Sequence, residues 1–195
     1  MENSKYKAIV FDFFGVLSSE VAFAWLSKHF SGEKMAELRK VYIVPIDKGD
    51  LPEKEWFDAL GKLLSVSSKQ VRDEWLGLAT IDQDMIALVR RLKGSYKLAI
   101  LSDAPSPFFR EVIAKDKLEN LFDEIIVSSE VHMTKESPGS YRFVLDKLSI
   151  SPEDAIFIDD NPANVDRALS LGMKGIIFSG RAKLESDLSD LGVTP

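Results

Sequence analysis

The sequence predicts an α/β protein: a doubly wound, Rossmann-like parallel sheet with an all-helical segment inserted after its first strand. Three observations carry this. From Asp82 onward, short apolar runs alternate with amphipathic helical stretches, which implies right-handed crossovers and helices on both faces of a parallel sheet. The first apolar run, Ala8 to Phe11, has no polar face, as a strand buried on both sides requires. Between these regions, residues 20–80 keep helical spacing without a strand pattern. The expected organisation is a core of residues 1–19 and 81–195 with a helical cap over 20–80, and a chain of 195 residues can bury a core of that size.

The first strand stops on Asp12, three residues before Gly15. In the inserted segment, Val21, Trp25, Leu26 and Phe30 share a helical face, as do Met35, Leu38 and Tyr42. Asp50, with Glu53 three residues on and Pro52 in the first turn, reads as a capping box ahead of Trp56, Leu60, Leu63 and Leu64. Ser67 with Gln70 repeats the signal before Val71, Trp75 and Leu76. Trp56 and Trp75 read as core. Trp25, near the point where the insertion leaves the sheet, fits either the core or the cleft. A helix over 84–92, stopped by Gly94, then leads to a strand over 97–101. The alternation continues with a helix over 107–114 and the strand Glu124 to Val127, then helix 140–148 and strand 155–158, then helix 163–171 and strand 174–178. Residues 185–195 read as a final short helix with a frayed end.

Composition narrows the chemistry. Hydrophobic residues at 45% and charged residues at 29% match an ordinary soluble protein, and no apolar run could span a bilayer. The first seven residues carry no secretory pattern, so a cytoplasmic location is expected. The absence of cysteine excludes disulfides, thiolate nucleophiles and Cys-ligated zinc or iron–sulfur sites. A net charge of −6 with no Lys/Arg cluster offers no footprint for nucleic acid or a membrane. An anionic small molecule would need positive charge from a metal or from a few placed cations.

In an open parallel sheet all strands end on one edge, so polar residues just past those ends meet in space. Here they are Asp12, Ser102 in Leu-Ser-Asp-Ala, Lys135 after the third strand, and Asp159 with Asp160 in Phe-Ile-Asp-Asp-Asn-Pro. This set suits phosphoryl transfer to a carboxylate. Asp12 attacks phosphorus. Ser102 donates to a non-bridging oxygen, as do backbone N–H groups near Asp103 and Ala104. Lys135 offsets the anionic charge, and Asp159 and Asp160 hold Mg²⁺. Each residue has a plainer role on its own: loop cap, helix start, solvated charge, or N-cap for a helix near Pro162. Together, in this order and each at a strand exit, they favour a site.

The same segments resemble the four motifs of the haloacid dehalogenase superfamily, mostly Mg²⁺-dependent phosphatases with some dehalogenases and phosphomutases. Phe-Asp-Phe-Phe-Gly-Val-Leu resembles the first motif and Leu-Ser-Asp-Ala the second. Glu-Val-His-Met-Thr-Lys-Glu-Ser-Pro-Gly-Ser-Tyr resembles the third, and Phe-Ile-Asp-Asp-Asn-Pro-Ala-Asn-Val, with Ala168 and Gly172, the fourth. The resemblance runs from Lys7 to about Phe178 and places 20–80 where that family carries a helical cap. It implies an Mg²⁺-dependent phosphoric monoester hydrolase working through an aspartyl phosphate on Asp12, with Ser102 and Lys135 at the phosphoryl group. Asp12, the Phe14 carbonyl, Asp159 and Asp160 would hold the metal, and the substrate would be a small phosphorylated metabolite such as a sugar phosphate.

One position departs from the pattern. Family phosphatases usually carry a second aspartate, the general acid and base, where this chain has Phe14. Such assistance is worth roughly 10²–10⁴-fold, so a slow enzyme, or a binding protein with negligible turnover, is the alternative reading. Glu20, His29 and Asp47 are the cap-side groups that could replace the missing acid. Halide release is a third reading, but the dehalogenases lack both the metal and an adjacent acid pair. In the third motif, His132, Glu136 and Ser137 depart from the common residues. His29 and His132 read as surface or loop residues.

Overall fold

The computed structural model describes residues 5–194. Five strands, β1 (Ala8–Phe11), β2 (Lys97–Ser102), β3 (Glu124–Val127), β4 (Ala155–Asp159) and β5 (Lys174–Ile177), form one parallel sheet in the order β3-β2-β1-β4-β5. The chain builds outward from β1 in one direction through β2 and β3, then returns to build the other way through β4 and β5. The switch point therefore lies between β1 and β4, where open sheets bind ligands at their carboxyl ends. Phe11 pairs with Ile100 on one side and Ile158 on the other, which brings Asp12, Ser102 and Asp159 to one edge.

Strand residues alternate between two apolar layers, as the pleat demands. Ile9, Phe11, Ile100 and Ile158 belong to the larger layer, and Val10, Leu101 and Phe157 to the smaller. The inserted segment holds α1 (Ala22–His29), α2 (Gly32–Leu38), a π-helical turn (Arg39–Ile43), α3 (Val44–Asp47), α4 (Glu53–Leu64) and α5 (Ser68–Leu78). After it come α6 (Gln83–Leu92), α7 (Ser106–Lys115), α8 (Ser128–Val131), α9 (Pro138–Leu148), α10 (Pro162–Ser170) and α11 (Arg181–Asp190). Side chains of α6, α7, α11 and the insertion fill the larger layer, and those of α9 and α10 the smaller. The chain leaves the sheet and returns along one path: Ser18 bridges Ile81, the Ser19 N–H donates to the Thr80 carbonyl (2.9 Å), and the Asp82 N–H to that of Leu17 (3.0 Å).

Helix starts follow side-chain caps. Ser67 accepts from the Gln70 N–H (3.1 Å) as expected, and Asp82 accepts from Asp84 and Met85. Three expectations are corrected. Asp50 caps nothing; α4 begins after Pro52, and Glu53 instead accepts from the Phe108 N–H (2.9 Å) and Arg72 (3.1 Å), tying the insertion to α7. α9 starts at Pro138 because Ser137 caps it through the Gly139 N–H. The last helix starts at Arg181, four residues earlier than expected, and the end of the expected frayed tail, Pro195, lies outside the described residues. The Asp159–Asp160 pair does not cap α10; Asn161 does, through the Ala163 N–H (3.0 Å). The remaining boundaries fall within a residue or so. Trp25 is core: it is buried, and its indole donates to Glu74 (2.8 Å).

Candidate active site

Three strand exits build the floor of the site. At the end of β1 the Asp12 Oδ1 accepts from the Phe13 N–H (2.6 Å), and Gly15 then turns the chain at φ +88°. Glycine is required there twice over. The left-handed φ disfavours a side chain, and a Cβ would sit 2.5 Å from Asp160 Oδ2. At the end of β4, Asp159 is fully buried and accepts from Lys135 Nζ, the Asn161 N–H and Asn164 Nδ2, so both its oxygens are engaged. Its neighbour Asp160 is solvent-exposed and faces a cavity.

Lys135 joins these exits. Its Nζ lies 2.6 Å from Asp12 Oδ2 and 2.7 Å from Asp159 Oδ2, in a site where the lysine is only 3% exposed. Its loop is pinned from β2, because the Lys135 N–H donates to both oxygens of Asp103 (2.9 and 3.2 Å). Ser102 stands at the end of β2 but is fully buried, and its hydroxyl has no partner among the described residues. The Ala104 N–H, expected to be free for a phosphate, donates to Ser128 Oγ (3.0 Å). Phe14 carries no chemistry in its side chain; its ring packs among Phe13 (4.9 Å), Phe108 (6.1 Å) and Phe109 (6.3 Å).

Charge is the dominant feature. Carboxylate oxygens of Asp12, Asp159 and Asp160 lie within 4.8 Å of one another, Asp103 is close by, and one ammonium serves all four. Burial pushes the Asp12 carboxyl well above its ordinary value despite Lys135, and burial followed by the Asp159 charge raises Asp160. Burial opposes the Lys135 charge, but Asp12, Asp159 and Asp103 together hold its pKa above the ordinary lysine value. A surplus of hard oxygen donors at one point fits a hard divalent cation.

A cavity of about 690 Å³ opens above this floor, between the sheet edge and the insertion. Of the three insertion groups considered for proton transfer, Glu20 and Asp47 line it. Burial, then repulsion from Asp103, raises the Asp47 carboxyl well above the ordinary range. His29 does not reach the cavity; it stacks on Trp25 with ring centroids 4.3 Å apart. His132 adopts a left-handed φ of +54°, where glycine is usual, and its Nδ1 is 2.9 Å from the Lys48 carbonyl. Sequence reasoning gave Asp103 only a backbone donor near the phosphate and did not foresee its side chain holding the Lys135 loop; it missed Asn164. The signal for Asn164 was present in Asp-Asn-Pro-Ala-Asn, which puts an amide in the first turn of α10, facing back to Asp159.

These raised carboxyls predict a pH dependence of stability. Asp47 and Asp103 bind protons more tightly folded than unfolded. The folded state therefore holds more protons from about pH 4, the ordinary carboxyl value, up to the raised values, and stability falls as pH rises through that window. The metal-free protein should melt at a higher temperature at mildly acidic pH than at neutral pH. A melting temperature that climbs across the window would contradict these environments.

A profile of the haloacid dehalogenase-like hydrolases matches residues 6–172. The drimenol cyclase drtB of Aspergillus calidoustus is 31% identical over 76% of this chain, which spans only 30% of that protein. The sesquiterpene phosphatase astK of Aspergillus oryzae is 26% identical over 88% of this chain and 89% of its own. A HAD family enzyme of Bacteroides thetaiotaomicron, solved with magnesium and inorganic phosphate, superposes with a TM-score of 0.75. That match covers 90% of this chain and 96% of the other at 23% identity, a likeness of fold.

Proposed function

The chain belongs to the haloacid dehalogenase-like hydrolases, and from that premise we propose that it hydrolyses phosphate monoesters of small molecules with Asp12 as nucleophile and Mg²⁺ as cofactor. The observation that carries this is Lys135, a buried ammonium bridging Asp12 and Asp159 beside the exposed carboxylate of Asp160. Asp12, Asp160 and the Phe14 carbonyl would hold Mg²⁺, which would screen the charge of the phosphoryl oxygens. Asp159, read from sequence as a metal ligand, has both oxygens committed to protein donors; its part is to fix Lys135 beside the metal that Asp12 and Asp160 would hold.

An Asp12 oxygen attacks phosphorus and the ester P–O bond breaks. Lys135 stabilises the anionic oxygens. Asp47 lines the same cavity and burial holds its carboxyl above the ordinary value, so it is the group that would supply the proton to the departing alkoxide and take the part that Phe14 cannot. The resulting Asp47 carboxylate then accepts a proton from water, which attacks phosphorus, releases inorganic phosphate and restores Asp12. Ser102, whose buried hydroxyl has no partner among the described residues, would donate to the phosphoryl group from the β2 end.

Two variants test the assignments. Asp160→Asn should weaken Mg²⁺ binding by calorimetry by more than the roughly 10–100-fold that loss of an outer partner costs; unchanged affinity would remove Asp160 from the metal site. Asp47→Asn should slow alkyl phosphate hydrolysis by roughly 10²–10⁴-fold and aryl phosphate hydrolysis much less, because a good leaving group needs little protonation. Equal losses on both ester types would rule out a proton donor at that position. The family resemblance suggests small phosphorylated metabolites such as sugar phosphates, and a relative named a sesquiterpene phosphatase puts apolar alcohols beside them.

A further inference from the structure

The cavity has two chemically distinct ends. Its floor carries Asp12, Asp103, Lys135 and Asp160 from the strand exits. Its opposite wall comes from the insertion, where Val21, just ahead of α1, converges with Leu26, Met35, Ile43, Trp56 and Trp75 from α1, α2, the π-helical turn, α4 and α5, and where Glu20, Arg39 and Asp47 are the charged members. The two indole rings offer no donor to this space, since both Nε1 atoms are sealed inside the protein. Glu20 has one of its two carboxylate oxygens, Oε2, engaged by the N–H groups of Phe23 (2.9 Å) and Ala24 (3.4 Å). Phe14 extends the apolar surface down to the floor, stacked on Phe108 at 6.1 Å beside the nucleophile. At the mouth, Phe23 is 67% exposed although it is a large apolar side chain on the cavity lining.

A polyol buried against the apolar side chains of this wall would lose its water and find few partners, Glu20, Arg39 and Asp47 being the charged groups within the insertion's part of the lining, and each unpaired hydroxyl is costly. A hydrocarbon would lose nothing and gain burial. The volume, about 690 Å³, is that of a site for a sizeable ligand. We propose that this cavity binds an amphiphilic phosphate monoester, its phosphoryl group on the Asp12–Lys135 floor and a hydrocarbon chain against the insertion wall, in preference to a sugar phosphate. This rests on the phosphatase reading for its chemistry, but not for its binding preference. It also gives Phe14 a positive role: the ring packs the first carbons of the leaving group, where a carboxylate would be repelled by Asp12.

The experiment has two arms. In the first, kcat/KM with Mg²⁺ is measured for ethyl, butyl, hexyl, octyl and decyl phosphate below their micelle concentrations, and for pentose and hexose phosphates. It should rise by about fourfold per added methylene over the shorter chains, with octyl phosphate well above any sugar phosphate. In the second, binding of methyl-, octyl- and decylphosphonate is followed by intrinsic tryptophan fluorescence, since Trp56 and Trp75 line the cavity. Affinity should climb with chain length although nothing is hydrolysed. Ala36→Trp, which adds bulk to the lining from α2, should move the preferred chain length downward in both arms. Hydrolysis that favours sugar phosphates and ignores chain length would overturn the amphiphile preference while leaving the phosphatase reading intact. Chain-length-dependent phosphonate binding with no ester hydrolysed would do the reverse. Decylphosphonate binding no tighter than methylphosphonate would also overturn the preference.

Discussion

Asp12→Asn should reduce phosphate ester hydrolysis to background, a loss on the order of 10⁴-fold or more, as removal of a nucleophile costs elsewhere. An amide at this position keeps the shape and can still accept from the Phe13 N–H, but it cannot form an acyl phosphate that water resolves. The fold should survive. Asp12 is one of several crowded carboxylates and its ionisation is already disfavoured by burial, so a neutral replacement relieves repulsion. Lost activity with an unchanged or raised melting temperature is the expected outcome. Full activity in the variant would place the nucleophile elsewhere.

Lys135→Met should act on the fold as well as on the chemistry. The ammonium is sandwiched between Asp12 and Asp159, both buried, and its removal leaves two carboxylates facing each other without a counter-charge. Breaking a buried pair in this way costs about 3–5 kcal/mol, a large part of the roughly 5–15 kcal/mol that holds a typical domain together. Denaturant unfolding of the metal-free variant should show this loss, and saturating Mg²⁺ should recover part of it by supplying positive charge at the same place. A variant as stable as the parent would mean that the aspartates hold protons and that Lys135 neutralises nothing.

Much of this arrangement was legible from sequence because it follows from topology. Once β1 and β4 read as apolar strands, Asp12 and Asp159 had to share an edge, and the alternation after Asp82 fixed the parallel order that brings Lys135 to them. Ser67 announced α5 because a hydroxyl three residues before a free N–H is a local signal. Asp50 and Glu53 gave the same signal falsely: the competing partners of Glu53, Phe108 and Arg72, are distant in sequence, and tertiary bonds outweighed the local cap. The engagement of Asp159 was hidden for a related reason. A pair of adjacent acids reads as two equal ligands, and only the fold shows that Asn164 and Lys135 claim one and leave the other to the cavity. The π-helical turn over Arg39–Ile43 shifts the register of the insertion, so the helical spacing read across Met35, Leu38 and Tyr42 could not say which residues line the cavity and which fill the core.

The central claim is that Asp12 carries the phosphoryl group during turnover, and it can be read directly by mass. The Asp47→Asn variant, which lacks the group assigned to activate water, is mixed with an aryl phosphate and Mg²⁺, quenched in acid within a turnover and digested. The peptide containing Asp12 should gain the mass of one phosphoryl group, the gain should need Mg²⁺, and it should be absent when Asp12 is also changed to Asn. Phosphate release at the normal rate with that peptide unmodified at every quench time, or with the phosphoryl group on another residue, would contradict the account.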